Sequence, residues 1–136
     1  MPFRKGETVV MQFVVSEADI ARFESGPVHA VYSTFALARD AEWTTRQFVL
    51  KGKKPDEEGV GTMVLVRHKA PAFVGECVTI TGRILSYSRG YLKCSFRASV
   101  GKRLIATGQT GQRVLPRRKL QQLLSPLRYR SLMSEP

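Results

Sequence analysis

Hydrophobic and polar residues alternate along most of the second half of the chain, a pattern that predicts β-strands with one apolar face. The alternation is strictest between Leu92 and Val100, where every second residue is apolar. Glu7–Val15 predicts an earlier strand, because it is rich in β-branched and aromatic residues and contains no breaker. The later predicted strands are Val60–Arg67, Glu76–Tyr87, Tyr91–Val100 and Leu104–Leu115.

A helical pattern separates the first predicted strand from the others. The segment from Ala30 to Lys51 lacks glycine and proline and is rich in Ala, Leu, Arg and Gln, so it predicts one helix of about 30 Å. A shorter helix is predicted after Ser16, a good N-cap residue, with its end at Ser25–Pro27. The side chains that recur at the helical period in the long helix are Val31, Phe35, Ala38, Ala41, Thr45 and Phe48.

The alternation of side chains, or side-chain parity, predicts the turn of the central hairpin, which joins the predicted strands Glu76–Tyr87 and Tyr91–Val100. If the apolar sets of both strands face one side of the sheet, Leu92 opposes Ser86 and Cys94 opposes Ile84. A three-residue loop, Ser88–Gly90, then closes the hairpin, and its glycine supplies the left-handed conformation that such a loop needs.

The same alternation separates the two cysteines, and a glycine further along the chain predicts a second hairpin. Cys77 falls on the face opposite Cys94, so no disulfide is expected between them, and their spacing does not suit a metal site. Gly101–Lys102 predicts a hairpin with a two-residue II′ turn.

One strand, one long helix and four more strands predict an α+β fold, because a single long helix has to cover one face of a curved antiparallel sheet. This arrangement resembles the hotdog fold, in which a curved antiparallel sheet wraps around one long helix. We expect residues 1–115 to form the folded domain and residues 116–136 to form a basic C-terminal tail.

The chain is strongly basic. Its 136 residues include 22 Lys and Arg against 11 Asp and Glu, a formal net charge of +11, and this excess predicts an anionic partner. Hydrophobic residues make up 43%, enough for a core, but no apolar run is long enough to span a bilayer. The N-terminus lacks the features of a secretory signal, so we expect a cytoplasmic protein.

Three residues are candidate catalytic groups. His68 ends a predicted strand just before the Ala70-Pro71 break, where a side chain can reach a cleft. Glu42 lies at the edge of the apolar stripe of the long helix, and a carboxylate there suits a general base or a nucleophile. Thr34 falls near the start of that helix, where free backbone N–H groups can hold an oxyanion or a carbonyl. The other histidine, His29, is predicted to be a surface residue.

Five motifs together share the spacing of one known family. They are Val31-Tyr32-Ser33-Thr34, Glu42-Trp43, Gly61-Thr62, His68-Lys69-Ala70-Pro71 and Gly75. In sequence and spacing they resemble the fluoroacetyl-CoA thioesterase family of hotdog proteins, and the resemblance runs from about Gly6 to Leu115.

The resemblance implies hydrolysis of a short or small acyl-CoA thioester to a carboxylic acid and free CoA. Thr34, Glu42 and His68 match the family's catalytic set. Glu42 would act as base or nucleophile, Thr34 would orient its carboxylate, and His68 would polarise the thioester carbonyl or assist the departing thiolate. Gly61 would allow close approach of the acyl group. The resemblance also implies a homodimer with its site at the subunit interface, and no metal or cofactor beyond the CoA of the substrate.

The chain departs from the family pattern in two places. The family's last strand usually carries His-Glu-Arg, whose arginine contacts substrate, whereas the aligned residues here are Thr110-Gly111-Gln112. Gln112, and Arg113 one place later, are therefore the candidate substrate-binding residues of this strand. The segment Ser16–Ala30 is also shorter than the family's lid and has a single aromatic residue, so the reaction class is carried over and not the named substrate.

Two alternative hypotheses stay open. The chain could be a non-catalytic hotdog module that binds acyl-CoA or a similar anionic ligand, which the altered last-strand motif favours. The basic tail, with Arg117-Arg118-Lys119 and Arg128-Tyr129-Arg130, could contact nucleic acid or an acidic membrane. The second alternative is the weaker one, since basic patches are common solvated surface and no aromatic-interleaved RNA motif occurs.

Overall fold

The computed structural model describes residues 2–23 and 26–134. The helices in this part of the chain are α1 (Thr34–Gly52) and α2 (Arg117–Ser134), and a single 3-10 turn spans Glu17–Asp19. The strands are β1 (Thr8–Val14), β2 (Ile20–Phe23), β3 (Gly26–Tyr32), β4 (Glu57–His68), β5 (Cys77–Ser88), β6 (Tyr91–Val100) and β7 (Arg103–Pro116).

A five-stranded antiparallel sheet forms the body of the protein. Its strand order is β1-β5-β6-β7-β4, so β4 lies at one edge, and α1 packs against strands across the sheet. The core between helix and sheet is apolar, and its large buried side chains include Leu37, Val49, Ile80, Ile84, Leu92 and Ile105. The predicted hotdog architecture is therefore confirmed, and each of the five predicted strands is present with shifts of a few residues at its ends.

The short helix predicted after Ser16 is wrong in extent. The structure has one 3-10 turn, in which the Asp19 carboxylate accepts hydrogen bonds from the backbone N–H and the hydroxyl of Ser16 at 2.9 and 3.0 Å. The chain then extends into β2, which pairs with β3. Pairing of two extended segments satisfies their backbone N–H and C=O groups, whereas an isolated short helix is only marginally stable. Of the predicted stop at Ser25–Pro27, Ser25 lies outside the described residues.

The long helix begins at Thr34 and not at Ala30, because Ala30–Tyr32 belong to β3. Ser33 is its N-cap, and the Ser33 hydroxyl accepts a hydrogen bond from the N–H of Ala36 at 3.0 Å. His29, predicted to be a surface residue, is an exposed residue of β3.

The outward face of α1 carries large apolar side chains. Phe35, which the helical period assigned to the apolar stripe, is 85% exposed, and Trp43 is 46% exposed. The prediction for Phe35 is wrong because the buried face of α1 is centred on Leu37 and Ala41, which point to the sheet. Exposed aromatic residues on an ordered helix are typical of a surface that meets another molecule.

The central hairpin differs from the parity prediction at its end. The Ile84–Cys94 pair is confirmed, but Leu92 opposes Tyr87 and not Ser86. A bulge after Ile84 adds one residue to β5 and shifts the register by one position. Alternation alone does not predict such a bulge, because it assumes an unbroken ladder.

The turn of this hairpin is therefore shorter than predicted. It contains two residues, Arg89 and Gly90, with φ of 53° and 78°, the positive values that a type I′ turn requires at both positions. The second predicted hairpin is confirmed at Gly101–Lys102, where Gly101 has φ of 55°. Cys77 is exposed, Cys94 is buried, and both are free thiols, as parity predicted.

A charge cluster of two buried carboxylates and the exposed Arg39 ties the segment before α1 to the helix. Arg39 donates a hydrogen bond to Asp19 at 2.8 Å and another to Asp40 at 3.0 Å, while the Tyr32 hydroxyl donates to Asp40 at 2.5 Å. Burial alone would raise the pKa of Asp19, but the hydrogen bonds from Arg39 and Ser16 outweigh it and hold that pKa below its usual value. Burial and the neighbouring Asp40 both raise the pKa of Tyr32.

We expect Arg39→Ala to lower the free energy of unfolding by about 1–2 kcal/mol, because it leaves two buried carboxylates without their shared cation. Asp19 has a lowered folded-state pKa, so its stabilising contribution is present at neutral pH and is lost as the pH falls through that pKa. The wild type should therefore lose more thermal stability than Arg39→Ala between pH 7 and pH 3. Calorimetry across that range measures this, with the exposed Arg97→Ala as control, and equal slopes would contradict it.

The C-terminal tail is helical. Residues 117–134 form α2, and residues 121–133 are all exposed. No helix in the described part of the chain is long and apolar enough to cross a membrane.

Candidate active site

Thr34 and His68 form a hydrogen-bonded pair where α1 begins and β4 ends. The distance from Thr34 Oγ1 to His68 Nδ1 is 3.0 Å. Thr34 is exposed, whereas His68 is half-buried and its Nε2 is fully buried without a hydrogen-bond partner. Burial lowers the pKa of His68, and an interaction with the Ala70 backbone opposes that shift. The hydroxyl is therefore the accessible end of the pair.

Glu42 and Gly61 meet where the middle of α1 crosses the early part of β4. A Cβ atom placed on Gly61 would overlap Glu42 Oε1, so only glycine leaves room for the carboxylate at this position. Glu42 is half-buried, and Gly61 is exposed. The carboxylate thus lies directly against a strand that is open to solvent.

A bulge in β4 brings Gly61 and His68 to the same face of the sheet. These residues are seven positions apart, and strict alternation would place them on opposite faces. The pairing of β4 with β7 shifts register between Gly61 and Met63, which inserts Thr62 as an extra residue. Both Gly61 and His68 therefore face α1, and the sequence pattern alone did not predict this.

Within one chain the candidate acid and the candidate imidazole lie far apart. Gly61 and His68 are separated along β4 by about 20 Å at the usual rise of a strand. Glu42 is held at the Gly61 end and Thr34 at the His68 end. A single chain thus brings together Thr34 with His68 and Glu42 with Gly61, but it does not join the two pairs.

Two open grooves run along the outer side of α1 and share Phe35 and Arg39. The groove with Glu42 has a volume of about 780 Å³, and the one with Thr34 has about 560 Å³. Arg46 also lines the larger groove and donates to the Gly59 carbonyl at 3.0 Å. The sequence analysis did not single out Arg46, although it lies one helical turn after Glu42 and so on the same side of α1.

The two substrate-binding candidates of β7 lie on opposite faces of the sheet. Gln112 pairs with Gly61, faces α1, is 1% exposed, and has no hydrogen-bond partner for either polar atom of its carboxamide. Arg113 is exposed on the other face, where its guanidinium lies 5.4 Å from the centre of the Tyr91 ring. Beside Gly61 the extra residue belongs to β4 and not to β7, so Arg113 does not take the place of Gln112 beside Glu42.

The described residues of this region do not form an evident set of metal ligands. The described part of the chain contains no group of three or more His, Cys, Asp or Glu side chains that could hold a metal ion.

One long helix on a curved antiparallel sheet defines a hotdog-fold protein, and structures similar to it include a thioesterase superfamily member and a fluoroacetyl-CoA-specific thioesterase. The model of a family described as FlK, fluoroacetyl-CoA-specific thioesterase, matches residues 15–118. The chain belongs to this family.

Solved structures support the same assignment. The Thermus thermophilus hypothetical protein TTHA0967, a thioesterase superfamily member, is 31% identical with a TM-score of 0.93, over 98% of each chain. A point mutant of the thioesterase FlK is 25% identical with a TM-score of 0.80, over 91% of this chain and 96% of that one. The same mutant with fluoroacetate and CoA is 25% identical with a TM-score of 0.79, over 87% and 99%. No curated protein matches the chain.

Proposed function

We propose that the protein is a thioesterase that hydrolyses a short or small acyl-CoA to a carboxylic acid and CoA, with Thr34, Glu42 and His68 as its catalytic residues. The observation that carries the proposal is the fit of Glu42 against Gly61, which leaves an ionisable carboxylate beside an open strand. Membership of the family and the hydrogen-bonded Thr34–His68 pair support the same reaction class.

The proposal requires a homodimer in which β4 pairs with its own copy. β4 is an edge strand with free backbone groups, and Val64 and Leu65 at its middle are 37% and 40% exposed. Phe35 and Trp43 are further exposed apolar side chains, on α1. A two-fold axis that pairs the two β4 edges would bury all of these side chains.

The register of such a pair completes the site. In an antiparallel pair centred between Val64 and Leu65, Gly61 of one chain opposes His68 of the partner subunit. Glu42 then approaches Thr34 of the partner subunit. In each chain the Thr34 hydroxyl is hydrogen-bonded to the imidazole of His68. Two identical sites result, and each takes its acid from one chain and its hydroxyl and imidazole from the other.

This arrangement suits thioester hydrolysis. Either Glu42 accepts a proton from water as the water oxygen attacks the carbonyl carbon, or Glu42 attacks directly and water then cleaves the anhydride. In both routes a C–O bond forms, the C–S bond breaks and the thiolate is protonated. Thr34 would orient the carboxylate, and His68 would stabilise the carbonyl oxygen or the leaving sulfur. Label found in Glu42 after a single turnover in ¹⁸O-water would establish the anhydride route, because only water attack on the Glu42 carbonyl of an anhydride places it there.

Gln112 and Arg113 have separate roles in the proposal. Gln112 lies beside Gly61 in the neighbouring strand, and its buried carboxamide has unused hydrogen-bonding capacity, so it would contact an acyl group that enters past the glycine. Arg113 faces away from Glu42 and would contact only the charged CoA portion. Arg46, beside Glu42 in the larger groove, adds a cation for the CoA phosphates.

Thiol release from a panel of short, branched, aromatic and long acyl-CoAs tests the function. We expect turnover of short acyl-CoAs that persists after dialysis against a chelator, since no metal or cofactor takes part in the proposed steps. If acyl-CoA raises the melting temperature but no thiol is released, the proposal is wrong and the protein is a non-catalytic module that binds acyl-CoA.

Replacing Gly61 should impair catalysis without unfolding the protein. In Gly61→Ala the new methyl group displaces the Glu42 carboxylate, which lies at the end of a flexible side chain and can move at little cost. We expect thiol release to fall roughly 10- to 100-fold, because small displacements of a catalytic group are costly. Thr62→Ala, on the opposite face, is the matched control. Equal activity in both variants, with unchanged melting temperatures, would contradict the role of Gly61.

A cytoplasmic location belongs to the same proposal. Two free cysteines, one of them exposed, are typical of a reducing compartment. Cell fractionation tests it.

A further inference from the structure

The C-terminal helix carries a leucine stripe that the domain leaves uncovered beyond the half-buried Leu120. Its first residue is anchored, because the Arg117 N–H donates to the Asp56 carbonyl at 2.7 Å and its Nε donates to Glu58 at 2.9 Å. Beyond residue 120 every described side chain up to 133 is exposed. The stripe has the spacing i, i+3, i+4, i+7 of a single helix face, and its members are Leu120, Leu123, Leu124 and Leu127.

Cations border the leucine stripe on both sides. Arg117 and Arg128 lie along the edge beside Leu124, and Lys119 and Arg130 lie along the other edge. Residues 117–134 contain five basic residues and no acidic one. Leu123, Leu124 and Leu127 are 55%, 54% and 58% exposed, so the apolar centre of this basic face is in contact with water.

We propose that α2 docks on an anionic phospholipid surface, with the leucine stripe inserted at the level of the headgroups and the bordering cations on lipid phosphates. A basic amphipathic helix lies in the plane of such an interface, and its binding combines buried apolar area with attraction to acidic lipid. The 18 residues of α2 are not apolar enough to cross the bilayer, which agrees with an orientation along its surface.

Two other occupants fit the helix less well. Nucleic acid would neutralise the cations but leave the leucines in water. A second copy of α2 would bury the leucines but would bring five more cations against a stripe that cations already border. An anionic lipid surface satisfies both the apolar and the charged parts of the same face.

Co-sedimentation of the full-length protein with vesicles tests the proposal. The probes are vesicles of phosphatidylcholine alone and of phosphatidylcholine mixed with phosphatidylglycerol. We expect at least roughly tenfold stronger binding to the mixed vesicles, and this binding should weaken as salt is raised. No binding, or equal binding to both kinds of vesicle, would overturn the proposal.

Variants separate the stripe from the rest of the helix. The double variant Leu123→Ser with Leu127→Ser should lose vesicle binding, and Arg128→Gln with Arg130→Gln should weaken it roughly tenfold. Leu132→Ser makes the same chemical change on another face of α2 and should bind like the wild type. Unchanged melting temperatures and thiol release would confirm that each variant folds.

Two further measurements can overturn the proposal in favour of the other occupants. If the apparent mass in size-exclusion chromatography is lower for the leucine double variant than for the wild type, the stripe contacts a second copy of the chain. Retention of duplex DNA that survives the leucine substitutions, without vesicle binding by the wild type, would assign the cations to nucleic acid.

Discussion

Glu42→Gln should lower thiol release from acyl-CoA by about 10²- to 10⁴-fold, the range that loss of a general base or a nucleophile produces. The amide has nearly the shape of the carboxylate, so the fit against Gly61 is kept and only the basic group is removed. The measurement is kcat and KM with the best substrate of the panel, and the loss should fall on kcat.

Glu7→Gln is the matched control for this experiment. Glu7 precedes β1, outside both grooves along the outer side of α1, and its substitution should leave the rate unchanged. A Glu42→Gln variant that retains the wild-type rate would remove Glu42 from the mechanism. Equal melting temperatures of the two variants would establish that the effect is chemical.

Two inactive variants should restore each other's activity when they share a dimer. If each site takes Glu42 from one chain and His68 from the other, a heterodimer of Glu42→Ala with His68→Ala has one complete site. We expect about half of the wild-type activity from this heterodimer, since a two-fold dimer has two identical sites. Co-expression with two different affinity tags isolates the heterodimer, and each homodimer serves as its background.

A second heterodimer is the decisive control. Thr34→Ala combined with His68→Ala places one defect in each site, because Thr34 and His68 act from the same chain. It should stay inactive. If light scattering verifies the dimeric mass and neither heterodimer is active, the composite site is contradicted. Glu42 would then not share a site with Thr34 and His68.

Most of the fold could be predicted from local pattern. Strict alternation in β6 and the breaker-free stretch of α1 follow from side-chain periodicity, which is a property of the backbone geometry. The errors concentrate where non-local pairing competes with local preference. Ala30–Tyr32 have helix-compatible composition but pair with β2, and Phe35 follows the helical period but lies outside the buried face.

The candidate site was predictable in its residues but not in its geometry. Thr34, Glu42 and His68 were identified from position and motif spacing, but the contact between Thr34 and His68 was not predicted and is seen only in the structure. The bulge at Thr62 leaves no signal in the alternation pattern, yet it decides which face of the sheet His68 occupies. The burial of the Gln112 carboxamide without hydrogen-bond partners depends in the same way on strand register.

By itself the sequence determined the long helix, the antiparallel strands, the basic charge and the three candidate catalytic residues, because these depend on side-chain chemistry and on periodicities of a few residues. The tertiary structure alone decided which helix face is left uncovered and that Glu42 lies at one end of β4 while His68 lies at the other. Those features depend on pairing between residues that are distant along the chain, and hydrophobic pattern within one segment carries no information about them.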